Sequence, residues 1–191
     1  LLPEEVKPAA ENKEAAVTQS NKQFFQLHNK FIVSQIHSGF MLIDQQAAHE
    51  RILFEHYQEQ LENNQGSSQQ SLFPQTLELS SADFILMDEI LPELHALGFQ
   101  LRPFGKTTYI VDGIPADLGN AIHETKIIEQ LLEDFKNNQD ILKLSKRENL
   151  ARSLAKNAAI KPGIPLDNQA MAELIDKLFA TATPSISLFG K

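Results

Sequence analysis

Apolar residues in this chain recur in two periods, and the points where one gives way to the other limit what it can fold into. From Phe25 to Val33 aromatic, aliphatic and β-branched residues follow a strand-like alternation. His37-Ser38-Gly39 supplies a turn, and Phe40-Met41-Leu42-Ile43 reads as a second strand, so the pair predicts a hairpin. At Asp44 the period changes. Asp44 stands where it caps a helix reaching about Leu61, on which Ala47, Glu50, Phe54, Tyr57 and Leu61 follow steps of three and four. Asn63 to Gln70 reads as a loop.

The pattern then repeats in a different order. Leu77-Glu78-Leu79 reads as a strand, and Ser80 or Ser81 caps a helix that ends at Gly98, with Pro92 predicting a kink or break inside it. Phe99–Phe104 and Thr107–Val111 read as strands around Gly105-Lys106, and Pro103 puts the first at a sheet edge. Thr125–Asn137 is helical, with Ile127, Ile128, Leu131, Leu132 and Phe135 on one apolar face. Ser145–Lys161 is a further helix, stopped by Pro162-Gly163, and Asp167 caps a last one through about Ala180. The fold class is α/β (α+β) with two lobes.

Residues 1–21 carry Pro3 and Pro8, four Glu against two Lys, and no sustained apolar period. Such a segment buries too little surface to offset its ordering entropy, so it reads as a disordered linker tail leading from a longer protein. The 191 residues are 42% hydrophobic, enough for a sizeable core. No run of eighteen apolar residues occurs, which excludes a membrane-spanning helix, and the N-terminus lacks the basic and apolar regions of a secretion signal. A cytoplasmic location is expected. The net charge of −8 argues against a surface that binds nucleic acid all over. Zero cysteine excludes disulfides, iron–sulfur clusters, cysteine-ligated zinc and a thiol nucleophile.

Asp44 to Glu55 carries the most chemistry. Glu50 shares a stripe with core-type residues, and a carboxylate there must be paired, protonated or metal-bound. Glu55 sits about 140° around the helix from Glu50 and pairs more naturally with Arg51. Either Asp44 only caps, Glu50 meets a Lys or Arg and Glu55 is solvated, or the three carboxylates hold a hard cation. His49 and His56 are two turns apart, too far to chelate one ion, and read as surface histidines.

Phe31-Ile32-Val33 through Asp44-Gln45-Gln46-Ala47-Ala48-His49-Glu50-Arg51 resembles the C-terminal dimerisation region of the MutL family of DNA mismatch-repair proteins. The family's nicking members carry Asp-Gln-His-Ala, two residues, Glu, four residues, Glu. Here Asp44, Gln45, Ala47, Glu50 and Glu55 match, and Gln46 replaces the histidine. Lys156-Asn157-Ala158-Ala159-Ile160-Lys161 is similar to the family's Ala-Cys-Lys-Ala-Ala-Ile-Lys helix, with Lys156 at the cysteine. Ser187-Leu188-Phe189-Gly190-Lys191 falls where the family has Cys-Pro-His-Gly-Arg. The resemblance covers about residues 22–191.

It implies a dimerisation lobe built from residues 22–65 and 143–191, with residues 66–142 as an inserted outer, regulatory lobe. It also implies a homodimer joining two ATPase arms, a mismatch-recognition protein and duplex DNA as partners of the whole protein, and a bacterial, nucleoid-associated setting. ATP belongs to an N-terminal region outside this chain. The zinc-containing site of nicking members is not expected, because its Cys and His positions hold other residues. Asp44, Glu50 and Glu55 remain as a partial set for Mn²⁺ or Mg²⁺.

Two further stretches point to partners. Gln69-Gln70-Ser71-Leu72-Phe73-Pro74 resembles the motif by which these proteins dock on the bacterial sliding clamp, with Gln69, Leu72, Phe73 and Pro74 as the contacts. The plainer reading tucks Leu72 and Phe73 against the core. Between Ile141 and Lys161, six cations face only Glu148, a local net +5 in which Lys146, Arg147, Arg152 and Lys156 are candidate phosphate contacts. Otherwise this is a solvated helix face with its alanines packed inward. Two functions follow: a dimerisation scaffold that recruits repair partners, or a metal-dependent endonuclease. The missing cysteine and histidine ligands favour the scaffold.

Overall fold

The computed structural model describes residues 24–119, 124–142 and 144–189, so the expected linker over 1–21, Lys143 and the Gly190-Lys191 end lie outside the described residues. Strands β1 (Phe24–Leu27), β2 (Phe31–Ile36) and β3 (Gly39–Asp44) form an antiparallel sheet in the order β1-β2-β3. The single strand expected from Phe25 to Val33 is therefore two. His28 and Asn29 take positive φ (53° and 47°), a region open to few side chains other than Asn, Asp and His, and Lys30 N–H closes the turn on the Leu27 carbonyl at 3.1 Å.

Helix α1 (Gln45–Asn63) follows directly. Asp44 caps it as expected: Oδ1 accepts the N–H groups of Gln46 and Ala47, both at 3.0 Å. Asn64 ends it with φ 51°, donating its own N–H to the Gln60 carbonyl.

A second antiparallel sheet has the order β4-β6-β5, from β4 (Ser68–Glu78), β5 (Gln100–Pro103) and β6 (Thr108–Pro115). Strand β4 starts well inside the expected loop and reaches the expected strand near Leu77, but its pairing with β6 breaks register between Gln70 and Gln75. Four residues, 71–74, leave the ladder there. Pro103 closes β5, an edge strand, where a missing N–H costs no ladder bond.

Helix α2 (Ser81–Ala96) runs through Pro92 without interruption. Pro92 and Asp88 one turn before it are both exposed, so the carbonyl left without a donor stays within reach of water. A short 3₁₀ turn (Ala116–Leu118) follows β6. Helices α3 (Glu124–Leu142), α4 (Lys146–Ala158) and α5 (Asn168–Ala180) come next. Ser145 caps α4 and Asp167 caps α5. Helix α4 stops three residues short of Lys161. Ala159 is already extended, and the residue before Pro162 is disfavoured in a helix.

Among the described residues, two apolar clusters hold these elements. The larger joins Phe54, Tyr57 and Leu61 of α1 to β4–β6, α2, the expected face of α3 and Leu150, Ala151, Leu154 and Ala155 of α4. The smaller joins Ile32 and Ile43, on the inner face of the first sheet, to Ala48 and to Met171, Leu174, Ile175 and Leu178 of α5. Helix α1 enters both, its first turns in one and its last turns in the other. Each fully buried Leu, Ile or Phe contributes about 1.5–3 kcal/mol, so this shared helix ties the two clusters. Among the described residues no helix is long and apolar enough to cross a membrane.

Candidate functional site

The start of α1 opens on a cleft of about 430 Å³, lined by Phe31, Asp44, Gln46, Ala47, Glu50, Lys156, Ser187 and Phe189. Pairing of β2 with β3 places Phe31 opposite Asp44, the last residue before the helix. Lys156 comes from α4, which packs along α1, and Ser187 and Phe189 come from the segment of turns and bends after α5. Positions far apart in the chain are thus brought together: the carboxylates Asp44 and Glu50, and Gln46, Lys156, Ser187 and Phe189.

Glu55 does not join them. Its Oε1 lies 4.0 Å from Arg51 Nη1 and its Oε2 accepts the Ala182 N–H at 2.9 Å. Glu50 is only 6% exposed and accepts a hydrogen bond from Gln46 Nε2 at 2.8 Å. The ammonium of Lys156 is turned to Asp134 Oδ1 at 2.6 Å, and Asn157 Nδ2 donates to the other oxygen of that carboxylate at 2.9 Å. Burial pulls the Lys161 ammonium below its usual pKa, while the charge on Glu50 opposes that shift.

Two arginines fix the far wall. Arg51 donates from Nε and Nη2 to the Ile186 carbonyl at 3.0 and 2.8 Å. Arg152 donates to the Leu188 carbonyl and stands 5.6 Å from the Phe54 ring and 5.8 Å from the Phe189 ring. Leu188 itself is buried in the larger cluster.

Gln45 and His49 have roles that the residue pattern did not reveal. Gln45 is fully buried; its Oε1 accepts from Gln26 Nε2 at 2.6 Å, and its Nε2 donates to the carbonyls of Asn29 (3.1 Å) and Ile164 (3.2 Å). It stitches the segment after α4 to the first sheet. His49 is half-buried rather than a surface histidine, because its Nδ1 accepts the Ile160 N–H at 3.0 Å. Burial and then the charge of Lys177 lower its pKa. Gln45 was visible as a motif residue, but nothing in spacing marks either as a tether, since both partners lie over a hundred positions away. His56 is exposed, 3.3 Å from Asp117.

The other candidates lie on separate surfaces. Leu72 and Phe73 are 91% and 82% exposed at the bulge of β4, so neither is tucked against the core; Pro74 is exposed beside them and Gln69 lies in the ladder opposite Ile114. Of the basic residues on α4, Lys146 pairs with Glu89 at 3.0 Å, Arg152 with Glu148 at 3.6 Å and Lys156 with Asp134, while Arg147 is exposed. The first sheet shows a third surface. Its inner face is core, yet its outer face carries Phe25 (61% exposed), Leu27 (47%), Phe40 (71%) and Leu42 (52%), with Phe31 and Val33 half-buried between them.

A family model described as the MutL C terminal dimerisation domain matches residues 24–166. The chain belongs to that family. Among curated relatives, the DNA mismatch repair protein MutL of Prosthecochloris aestuarii is 44% identical over 172 residues, which are 90% of this chain and 28% of that protein. That of Chlorobium phaeobacteroides is 43% identical over 166 residues, covering 87% and 26%. That of Chlorobaculum parvum is 38% identical over 192 residues, covering 100% and 30%. The chain spans less than a third of the length of these relatives.

The zinc-containing centre of the family's nicking members does not fit this cleft. Zinc prefers Cys and His ligands, and the cleft offers an amide, an ammonium, a hydroxyl and a phenyl ring in their places. Asp44 Oδ1 is already engaged by two backbone N–H groups, and Glu50 by Gln46. Among the described residues no three His, Asp or Glu side chains converge as an ion requires.

Proposed function

We propose that this chain is the self-association module of a DNA mismatch-repair protein, joining two copies of a longer polypeptide and presenting docking sites for repair partners. The outer face of the first sheet carries this reading. Phe25, Leu27, Phe40 and Leu42 expose a continuous apolar stripe on the side of an antiparallel sheet that ordinarily faces water as polar residues. A two-fold contact would bury the same stripe from both copies. Residues 22–65 and 143–191 form the dimerisation lobe in this reading, and residues 66–142 the outer one.

Sedimentation equilibrium tests it. Wild type is expected to be dimeric at micromolar concentration, and Phe40→Asp with Leu42→Asp to be a folded monomer. A monomeric wild type overturns the reading.

The exposed Leu72-Phe73 pair supports recruitment of the sliding clamp. Two large apolar side chains held out of the ladder, with Pro74 restricting the chain behind them, are what an apolar pocket on a partner would take. Binding to purified clamp should fall at least about tenfold in Gln69→Ala/Leu72→Ala, since loss of an anchor costs more than 1.4 kcal/mol. Equal binding discards the motif.

The endonuclease alternative rests on Asp44 and Glu50 sharing one cleft. Plasmid nicking with Mn²⁺ that is lost in Asp44→Asn and Glu50→Lys would establish it. For duplex DNA, Arg147 is the exposed contact on α4, and the acidic partners of Lys146 and Lys156 weaken any phosphate contribution from those two.

A further inference from the structure

The docking residues of β4 are held by two different parts of one strand. Gln69 lies in the β4–β6 ladder, whereas Leu72, Phe73 and Pro74 lie in the loop that leaves it. The loop leaves where both ladders of β6 break. On one side Gln70 is opposite Gly113 and Gln75 opposite Val111; on the other Gln100 is opposite Gly113 and Leu101 opposite Val111. Asp112, between them, is passed over in both registers. Its carboxylate is taken by Arg102 of β5 at 2.7 Å, and this pair lines a groove of about 520 Å³ together with Ser71 and Pro74 of the loop. The residue across from the loop thus holds on to β5, and the loop takes its place from its two roots.

The root beside Gln69 is tight. A Cβ on the buried Gly113 would stand 2.7 Å from the Gln69 carbonyl oxygen, 3.0 Å from Ser68 Oγ and 3.3 Å from Gln70 Cα. Two of these atoms are backbone, which no side-chain rotation carries away, so a larger residue pushes β4 itself. Gly113 is not among the glycines with positive φ, and alanine there would change space alone.

We infer that Gly113 is a positioning residue for partner docking: it lets β6 approach β4 closely enough to hold Gln69 at the root of the loop, and so fixes how Gln69 stands relative to Leu72 and Phe73. The inference rests on the reading of residues 69–74 as the clamp contact and names the residue that sets the geometry of that contact. A partner that takes an amide and two apolar side chains at once needs all three at one spacing. In this fold the amide is carried by the ladder and the apolar pair by the loop, so their spacing is decided where ladder and loop meet. Gly113 lies at that point and is itself buried, out of a partner's reach.

The test is binding to purified clamp, measured well below the unfolding transition, with circular dichroism reporting the fold of each variant. Gly113→Ala is compared with Gly105→Ala, a glycine in open space at the β5–β6 turn, and with Gln69→Ala/Leu72→Ala. A fourth variant carries one glycine inserted between Pro74 and Gln75, which leaves residues 69–74 unchanged but slackens the loop, and a synthetic peptide of residues 68–75 has no ladder at all. Gly113→Ala, the insertion and the peptide should each bind roughly tenfold or more weakly than wild type, the loss expected when one anchor no longer reaches its place, while Gly105→Ala binds as wild type does. Wild-type binding by folded Gly113→Ala or by the insertion, with binding lost in Gln69→Ala/Leu72→Ala, overturns the inference and leaves the docking reading intact. If Gly113→Ala does not fold, the insertion and the peptide decide. A peptide that binds as tightly as the whole chain overturns it too, as does a Gly105→Ala weakened as much as Gly113→Ala, because the loss then follows general stability. Undiminished binding in Gln69→Ala/Leu72→Ala overturns the docking reading together with the inference.

Discussion

A carboxylate left with 6% of its surface in water depends on the groups around it, and Glu50 draws one bond from Gln46 a turn earlier on the same helix. Removing the carboxylate strands the Gln46 amide and takes away the charge that opposes the burial of Lys161. Glu50→Ala is therefore expected to lower unfolding stability by about 1–3 kcal/mol, and Glu50→Gln by less. Urea denaturation checks this, and an unchanged midpoint for Glu50→Ala would mean that the side chain faces solvent.

His49 gives the chain a pH dependence of definite sign. Its Nδ1 must be unprotonated to accept the Ile160 N–H, and burial holds its pKa below the ordinary 6.5. The unfolded chain then binds the proton more readily than the folded one, so stability increases with pH through this window. From about pH 6.5 downward the contribution fades until the folded pKa is passed. His49→Gln, which keeps an acceptor but cannot titrate, should flatten the fall in Tm between pH 7 and pH 5. A wild type and variant that fall in parallel would remove His49 as the cause.

At the level of elements, the sequence carried most helices and few of the joins. Local signals mark Asp44, Ser145 and Asp167 as caps, and the apolar face of α3 recurs at helical spacing, so these were readable without any long-range information. The β1–β2 turn was missed because it is made by His28 and Asn29 in left-handed conformations, with no glycine or proline to announce it. The long β4 was missed because its polar Gln-rich start looks like a loop until β6 pairs with it.

The crossing of Gly66 and Gly98 was hidden for the same reason. Gly66 N–H donates to the Ala96 carbonyl at 3.0 Å, and a Cβ on Gly98 would stand 2.4 Å from the Ser67 carbonyl oxygen. Gly98 also has φ +97°, where side chains are strained. Gly105 has φ +83° and open space around it, so it isolates the backbone term from the clash. Gly98→Ala should cost about 2 kcal/mol or more and Gly105→Ala only about 1, measured by thermal denaturation of both variants. Equal losses would show that the chain relieves the crossing at no cost.

Considered as a whole, the molecule is held by tethers between distant segments as much as by its two apolar clusters. The cleft could be assembled on paper only through resemblance, since nothing in composition says that Lys156, Ser187 and Phe189 meet Asp44 and Glu50. Its lining shows why Glu55, adjacent in the motif, separates from the other two: the helix turns it toward Arg51 and Ala182. The C-terminal segment is the clearest tether. Arg51→Ala/Arg152→Ala removes the donors to Ile186 and Leu188 and the cation between the Phe54 and Phe189 rings. Chymotrypsin is expected to cut this variant at Leu188 or Phe189 roughly tenfold faster than wild type, because cleavage follows the population of locally open states. Mass spectrometry of the fragments identifies the site, and equal rates would show that Leu188 anchors the segment unaided.

The bulge of β4 has a thermodynamic consequence of its own. A docking peptide on a free tail loses conformational freedom when it binds, whereas residues 71–74 are pinned at both ends by paired strand, Ser68–Gln70 before and Gln75–Glu78 after. Ser71 Oγ adds a bond to the Phe73 carbonyl at 3.0 Å inside the loop. Much of the ordering that a partner would otherwise have to impose has already been done by the fold. If Leu72 and Phe73 are the proposed docking pair, their affinity is coupled to the integrity of the β4–β6 ladder, and a substitution that loosens that ladder would weaken docking without touching either side chain.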